Sequence, residues 1–243
     1  MSQPIECRQI GNTTLYRGDA RALLCAGVFG KIGAIISDPP YGIGYQHVGC
    51  ESVSSSGHIA RSSSAPIHGD SEPFDPSPWI AAAPLMQARG CDRERRIVLW
   101  GADHFRARLP ESGTLLAWDK HLGVGADDGF ADCEWAWCGR RVKREVFRYL
   151  WKGLARNKTN PLDTHRRLHV SQKPVELMRW CIEKARPFSG LPILDPYMGS
   201  GSTLVAAYTM GLPAIGCEIN PEIFDIACKR LEAMSTSAAL AVA

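Results

Sequence analysis

The chain contains no apolar run approaching the ~18–20 residues that a membrane span requires. Its strand-like apolar stretches, such as Ile97-Val98-Leu99-Trp100, are far shorter. Between Met1 and Arg8 there is no basic segment followed by an apolar one, so no secretory leader is expected and a cytoplasmic location is. Nine cysteines is an odd number, and no pair of them has C-x-x-C spacing. Disulfide frameworks belong to small secreted chains, so the thiols are read as reduced and structural; Cys181 and Cys228 fall in apolar-periodic segments. Metal ligands at short spacing are missing too, which leaves a zinc site built from distant Cys and His as the lesser reading and no metal as the expectation. No internal repeat is visible. What remains is ordinary for a globular chain of 243 residues, 45% hydrophobic and 22% charged, and predicts a single domain over 1–243.

The net charge of +3 conceals an asymmetry. From Arg140 to Arg186 there are 14 Lys and Arg against 4 Asp and Glu, a balance of +10, while the rest of the chain stands at −7. A charge run is often only a solvated face. Concentration into one segment, including Arg140, Arg141, Lys143 and Arg144, equally suits contact with a polyanion.

Hydrophobic periodicity predicts strands alternating with helices. Gly33–Ser37, Arg96–Trp100, Thr114–Trp118, Leu191–Leu194 and Pro213–Cys217 read as strands, with a helix over Ser202–Met210 between the last two. Pro174 opens a helix whose apolar face carries Leu177, Met178, Cys181, Ile182 and Ala185. Asn220-Pro221 is an N-cap followed by proline, and the tail from Ser235 to Ala243 is expected to fray. The pattern predicts an α/β fold, a mostly parallel doubly wound sheet with helices on both faces. Residues 45–72 do not fit it. Rich in serine, they are expected to form a flexible loop, a candidate lid beside the turn that precedes them.

Two constellations carry chemistry. In the first, the strand Ile35-Ile36-Ser37 delivers Asp38, Pro39, Pro40 and Tyr41 at its C-terminal end, where open α/β sheets place their ligands. A carboxylate acceptor, an outward carbonyl on a proline-fixed backbone and an aromatic face together suit a flat heterocycle bearing an amino group. The bland alternative is a proline turn with a capping Asp. In the second, Leu194-Asp195-Pro196-Tyr197-Met198-Gly199-Ser200-Gly201-Ser202-Thr203 is a strand, a glycine turn and a helix start, with Glu218 at the end of the next strand, 23 residues beyond Asp195. Glycines let the backbone approach a ligand, and the second acid can accept both hydroxyls of a ribose. Leu204 replaces the third glycine of a dinucleotide site, and no G-K-[ST] sequence is present for a nucleoside triphosphate.

Taken together, these residues resemble the amino-DNA methyltransferases. Asp38-Pro39-Pro40-Tyr41 matches their D-P-P-Y motif, and Asp195 to Thr203 resembles D-P-F-x-G-S-G-T-T, their S-adenosylmethionine loop. His169-Val170-Ser171-Gln172-Lys173-Pro174 resembles H-P-T-Q-K-P, and Leu15-Tyr16-Arg17-Gly18-Asp19-Ala20 looks like the segment near the cofactor adenine. Tyr197 stands where the family has Phe, Ser202 where it has Thr, and Val170-Ser171 where it has Pro-Thr. Catalytic motif first and cofactor loop last is the circularly permuted order of the β group. The resemblance covers about Leu15 to Leu231.

The resemblance implies a Rossmann-like methyltransferase fold, circularly permuted, and S-adenosylmethionine as cofactor. Asp38, Pro39, Pro40 and Tyr41 would be catalytic. Asp19, Ser171, Lys173, Asp195, Tyr197, Gly199, Gly201, Ser202, Thr203, Glu218 and Ile219 would hold the cofactor. Arg140, Arg141, Lys143 and Arg144, in a short target-recognition segment over 139–168, would meet the phosphates of duplex DNA. Trp135, Trp137 and Trp151 are read as core, and Asp103-His104, His165 and His169 are given no role. The expected reaction is methylation of adenine N6 by a stand-alone bacterial or phage enzyme. Cytosine N4 is the alternative on the same scaffold, and a catalytically silent DNA-binding protein is the alternative of another class. Protein or RNA amine methylation is disfavoured by motif order. Dimers are common in this group, and the resemblance allows one here.

Overall fold

The structure is a computed structural model that describes residues 6–44, 52–53, 59–60, 68–87, 93–123, 131–152, 155–157, 162–163 and 172–242. Most of the serine-rich 45–72 loop therefore lies outside the described residues, as do Ser171, His165 and His169.

The strands of the main sheet, in chain order, are β1 (Glu6–Ile10), β2 (Thr13–Arg17), β3 (Ala34–Ser37), β4 (Ile97–Trp100), β5 (Thr114–Asp119), β6 (Cys133–Cys138), β7 (Val146–Arg148), β8 (Ile193–Asp195) and β9 (Ala214–Glu218). They lie in the order β1-β2-β9-β8-β3-β4-β6-β5-β7. The central run from β2 to β4 is parallel; β1 and β6 are antiparallel to their neighbours, and β7 is parallel to β5. The helices are α1 (Ala20–Cys25), α2 (Ser77–Ala82), α3 (Val175–Ala185), α4 (Ser202–Thr209) and α5 (Pro221–Val242).

The apolar runs of the central strands are nearly continuous because both faces are covered. Ala34, Ile36, Val98, Trp100 and Ile193 pack with α3, α4 and α5. Their alternates, Ile35, Ile97, Leu99 and Leu194, pack with Phe74, Trp79 and Phe105 around α1 and α2. A doubly wound sheet is thus present, as the periodicity predicts, with strand boundaries shifted by one or two residues. Four strands of the main sheet have no counterpart in the periodicity reading, among them the three-residue β7, exposed at both ends. β1 and β2 form an edge hairpin of mixed exposure, and β6 places Cys133 and Trp135 outward, so neither gives a clean apolar run. The tail from Ser235 is drawn into the last helix. α5 continues through Val242, consistent with the helix-favouring alanines there.

The fold also settles where the basic segment goes. β6 starts beside the C-terminal end of β5, with Cys133 opposite Asp119, and ends beside the start of β5, with Cys138 opposite Thr114. A strand of this length spans roughly 17–20 Å. Arg140 and Arg141 therefore emerge at the N-terminal edge of the parallel strands, far from Asp38. Arg140 is buried there. Its Nη1 donates to the Lys184 carbonyl at 2.7 Å and its Nε lies 3.3 Å from the Glu94 carboxylate. Removing one partner of a buried pair strands the other, at about 3–5 kcal/mol. Arg140→Ala is expected to lower unfolding stability by roughly that amount in urea titration, and Glu94→Gln by a comparable amount.

Candidate active site

Parallel strands that end together bring their C-terminal residues to one edge. Asp19 lies just beyond β2, Glu218 ends β9, Asp195 ends β8 and Asp38 follows β3. Glu134, near the start of antiparallel β6, joins the same edge. The structure thus assembles both constellations in one place. Asp38, Lys173, Asp195, Tyr197, Gly199 and Thr203 line a narrow cavity of about 40 Å³ between the proline turn and the glycine turn. A larger cavity, about 700 Å³, lies on the other side of β5 and β6 among Leu115, Trp135, Trp137, Arg106 and Arg144.

The glycine turn is built for close approach. Gly201 has φ +80, a conformation that L side chains rarely adopt, and opens α4. Ser202 Oγ donates to the Lys173 carbonyl at 2.7 Å and accepts from Arg230 Nη1 at 3.1 Å. The same guanidinium bonds the Ser200 carbonyl, so the turn is clamped from below. Glu218 Oε1 accepts from the Asn220 N–H at 2.8 Å, and the Ile219 and Gly199 N–H groups also support its carboxylate. Burial nevertheless raises its pKa. Asp19 Oδ1 caps α1 through the N–H groups of Arg21 and Ala22 at 2.7 and 3.2 Å. Ile219 is exposed at the mouth, and the Tyr197 hydroxyl accepts from Trp79 Nε1 at 3.2 Å.

Asp195 ties the two turns together. Its Oδ1 accepts from Ser37 Oγ at 2.6 Å and from the Tyr197 N–H at 3.1 Å. Full burial drives its pKa up to about 6, with the Ser37 and Thr203 hydroxyls opposing the rise.

Around Asp38 the geometry goes beyond the sequence reading. Asp38 Oδ1 accepts from the Tyr41 hydroxyl at 2.5 Å, and Oδ2 lies 2.7 Å from Lys173 Nζ. The same ammonium is 2.9 Å from Glu134 Oε2 and 3.3 Å from the Tyr41 oxygen. Lys120 Nζ closes the chain, 2.9 Å from Glu134 Oε1. Burial, the largest influence, raises the Asp38 pKa and Lys173 opposes it. Burial would raise Glu134 as well, but two ammonium groups bring it down to about 2. Lys173 is pushed the other way: burial works against its charge, yet the carboxylates hold it protonated well above the ordinary lysine range. Tyr41 stacks on His104, centroids 4.8 Å apart at 18°. Gly101 makes room for that ring, because a Cβ there would overlap Tyr41.

Several expectations change in this light. Lys173 engages Asp38 and Glu134. Arg140 is buried against Glu94, whereas Arg141, Lys143 and Arg144 are exposed beyond the end of β6. The correction for Arg140 follows from the antiparallel course of β6, which carries the chain to the opposite end of the sheet. Trp137 and Trp151 are buried as expected, whereas Trp135 is 39% exposed. Glu134 and Lys120 were missed because neither belongs to a spaced motif. His104, given no role, covers the face of Tyr41. Among the described residues no group of three His, Cys, Asp or Glu is placed to hold a metal. No helix among them is long and apolar enough to cross a membrane.

Comparison with known proteins agrees with this architecture. Residues 118–229 match the model of a family described as DNA methylase. Over 72 residues the chain is 39% identical to the type II methyltransferase M.ScaI of Streptomyces caespitosus, 30% of this chain and 23% of that protein. Across the curated relatives it matches, the chain spans only 20–36% of their length. The fold is similar to that of the M1.HpyAVI–SAM complex, with TM-score 0.52, 18% identity and coverage of 90% of this chain and 98% of that one. It is also similar to the PvuII DNA methyltransferase (cytosine-N4-specific), with TM-score 0.51, 12% identity and coverage of 94% and 92%. The fold is therefore the Rossmann-like fold of the methyltransferases.

Burial of Asp195 has a measurable consequence. Its folded pKa, about 6, exceeds the ordinary 3.8, so folding favours the protonated form. The stabilisation is complete below pH ~4 and is lost as pH rises through ~6, a swing on the order of 3 kcal/mol. Asp195→Asn is expected to remove this component. The stability difference, wild type minus variant, should fall between pH 4 and 6 in urea titrations; a constant difference would show that Asp195 is not held protonated.

Proposed function

We propose that this chain is an S-adenosylmethionine-dependent DNA methyltransferase that acts on the exocyclic amine of a base, with adenine N6 as its target. The observation that carries the reading is the convergence, at one sheet edge, of a buried carboxylate followed by two prolines and a tyrosine with a glycine turn and a second-strand acid. The matching family region and the methyltransferase fold support it. The order of the two turns along the chain is that of the permuted β group.

The donor set fits the cofactor. Gly199 and Gly201 leave a turn without side-chain bulk, Glu218 presents a carboxylate for ribose hydroxyls, and Ile219 offers an apolar contact at the mouth. Asp195, Tyr197, Ser202 and Thr203 shape the wall, with Asp19 at the adjoining strand end and Ser171 just before the Gln172 backbone. Bound S-adenosylmethionine supplies an electrophilic methyl group on a sulfonium.

The protein's task is to make a poor nucleophile better. An exocyclic amine has its lone pair delocalised into the ring, and hydrogen bonds that favour a tetrahedral nitrogen recover it. Asp38 accepts one N–H and the Pro39 carbonyl the other, while Pro40 fixes the backbone between them and Tyr41 offers a ring to the extruded base. A carboxylate at position 38 favours adenine, because cytosine enzymes of the resembled family more often carry Ser there. Phosphate contacts are assigned to the part of the basic segment that returns to the site edge. Arg148, whose side chain is 69% exposed beside Asp119, is its first member. The exposed Arg141, Lys143 and Arg144, the rest of the 139–168 segment and the serine-rich loop would supply the remaining contacts. A second copy of the chain is compatible with this arrangement.

Transfer of labelled methyl from S-adenosylmethionine to unmethylated mixed-sequence duplex DNA, followed by nucleoside analysis, tests the reading. N6-methyladenine is expected. N4-methylcytosine would move the assignment to the other base, and cofactor binding without any product would favour a silent DNA-binding protein. Asp38→Ala should lower transfer by at least ~100-fold with cofactor affinity by calorimetry little changed. An active variant would remove Asp38 from the acceptor role.

A further inference from the structure

Both oxygens of the acceptor carboxylate already hold a donor. Its Oδ1 holds the Tyr41 hydroxyl and its Oδ2 the Lys173 ammonium. A substrate amine would share these oxygens with Lys173, whose ammonium is the stronger donor and draws electron density from the acceptor. How tightly Lys173 holds Asp38 therefore bears directly on the reaction. That grip is divided, because Lys173 Nζ is shared with Glu134 at 2.9 Å, and Glu134 is shared in turn with Lys120 at 2.9 Å.

We infer that Glu134 is a positioning residue for methyl transfer: by drawing the Lys173 ammonium partly away from Asp38, it leaves the Asp38 carboxylate able to accept the substrate amine. The inference rests on the proposed function and adds a residue from β6 to it. The groups facing Asp38 all fit the assignment. Tyr41 comes from its own turn, Lys173 from the segment before α3, Glu134 from β6, Asp195 from β8 and Cys181 from α3. Among these, Lys173 is the cation, and Glu134 is the other carboxylate within reach of it. Burial makes the division effective, since the Lys173 and Asp38 side chains are only 10% and 15% exposed and water does little to screen them. Lys120 tunes the arrangement from outside. Its positive charge competes with Lys173 for Glu134, so loss of Lys120 should draw Lys173 further from Asp38.

Two variants move the system in opposite directions. In Glu134→Gln, Lys173 serves Asp38 alone. The single-turnover rate of methyl transfer to unmethylated mixed-sequence DNA should fall about tenfold, with cofactor affinity unchanged. The acid limb of its pH profile should move to lower pH, because a competing negative charge has gone and the cation sits closer. In Lys120→Met the acid limb should move to higher pH. Glu134→Asp, which keeps the charge, should restore part of the rate. The carboxyl carbon resonance of Asp38, followed by pH titration of the cofactor-free protein labelled at aspartate, should shift with the same two signs. A loss of rate with the acid limb and the Asp38 titration unmoved in both variants would overturn the inference and leave Glu134 a structural residue. Should Glu134→Gln not fold, Lys120→Met and Glu134→Asp decide alone. Absence of methyl transfer in the wild-type protein would instead overturn the functional reading, and the role in transfer with it. Persistence of both titration shifts would then identify the charge coupling as independent of that reading.

Discussion

One buried ammonium shared by two carboxylates sets the arrangement of the site. Taking a charge out of water costs several kcal/mol even after relaxation, and only alternation of sign with good geometry offsets it. Asp38, Lys173, Glu134 and Lys120 alternate at 2.7, 2.9 and 2.9 Å. They come from the end of β3, the segment before α3, the start of β6 and the end of β5, so the balance exists only when four remote pieces of chain have met. The two carboxylates emerge with different characters for a physical reason. Glu134 faces two cations and is brought down to about 2, while Asp38 faces one, is the less exposed side chain, and is raised. A shared cation thus makes one acid a fixed counter-charge and leaves the other available for chemistry.

The same economy of contacts couples the two turns. Ser37 and Asp195 connect β3 to β8 through a 2.6 Å bond, and Ser202 connects the glycine turn to the Lys173 carbonyl. Arg230, from α5, holds both Ser200 and Ser202. On the proposed reading, a ligand at the glycine turn is thereby referenced to the strand that carries Asp38. Methyl transfer demands such registration, since a misplacement near 1 Å can cost about a hundredfold in rate.

Much of this was legible in the amino-acid order, and for a reason. Continuous apolar runs marked β3, β4, β8 and β9 because both faces of a central parallel strand are buried, and β3, β8 and β9 each led to a motif acid. The residues that escaped notice work through space. Glu134 lies in a strand whose exposed Cys133 and Trp135 hide its periodicity, and Lys120 follows a strand end with nothing to distinguish it from a solvated lysine. Their pairing with Lys173 depends on β6 running antiparallel between β4 and β5, a fact of topology with no local signal. The same topology defeated the reading of Arg140. A cluster of basic residues in one stretch of sequence looks like one surface, but the strand reversal buries its first member against Glu94 at the far edge.

A sheet edge lined with carboxylates is an unpromising neighbour for a polyanion, and on the proposed reading the DNA backbone must come close to it. The structure gives each of these carboxylates a local partner. Asp19 is taken up by two helix N–H groups, Glu218 by three backbone N–H groups, and Asp195 is held protonated to about pH 6. Asp38 and Glu134 are matched by two lysines. The Asp38 and Glu134 charges are balanced by their lysines, whereas Asp19 and Glu218 are stabilised without losing their charge, so a phosphate within a Debye length, about 8–10 Å, still meets net negative charge there. On the proposed reading Arg148, its side chain 69% exposed and 3.9 Å from the Asp119 carboxylate, would be drawn toward the phosphate and so offset part of that charge.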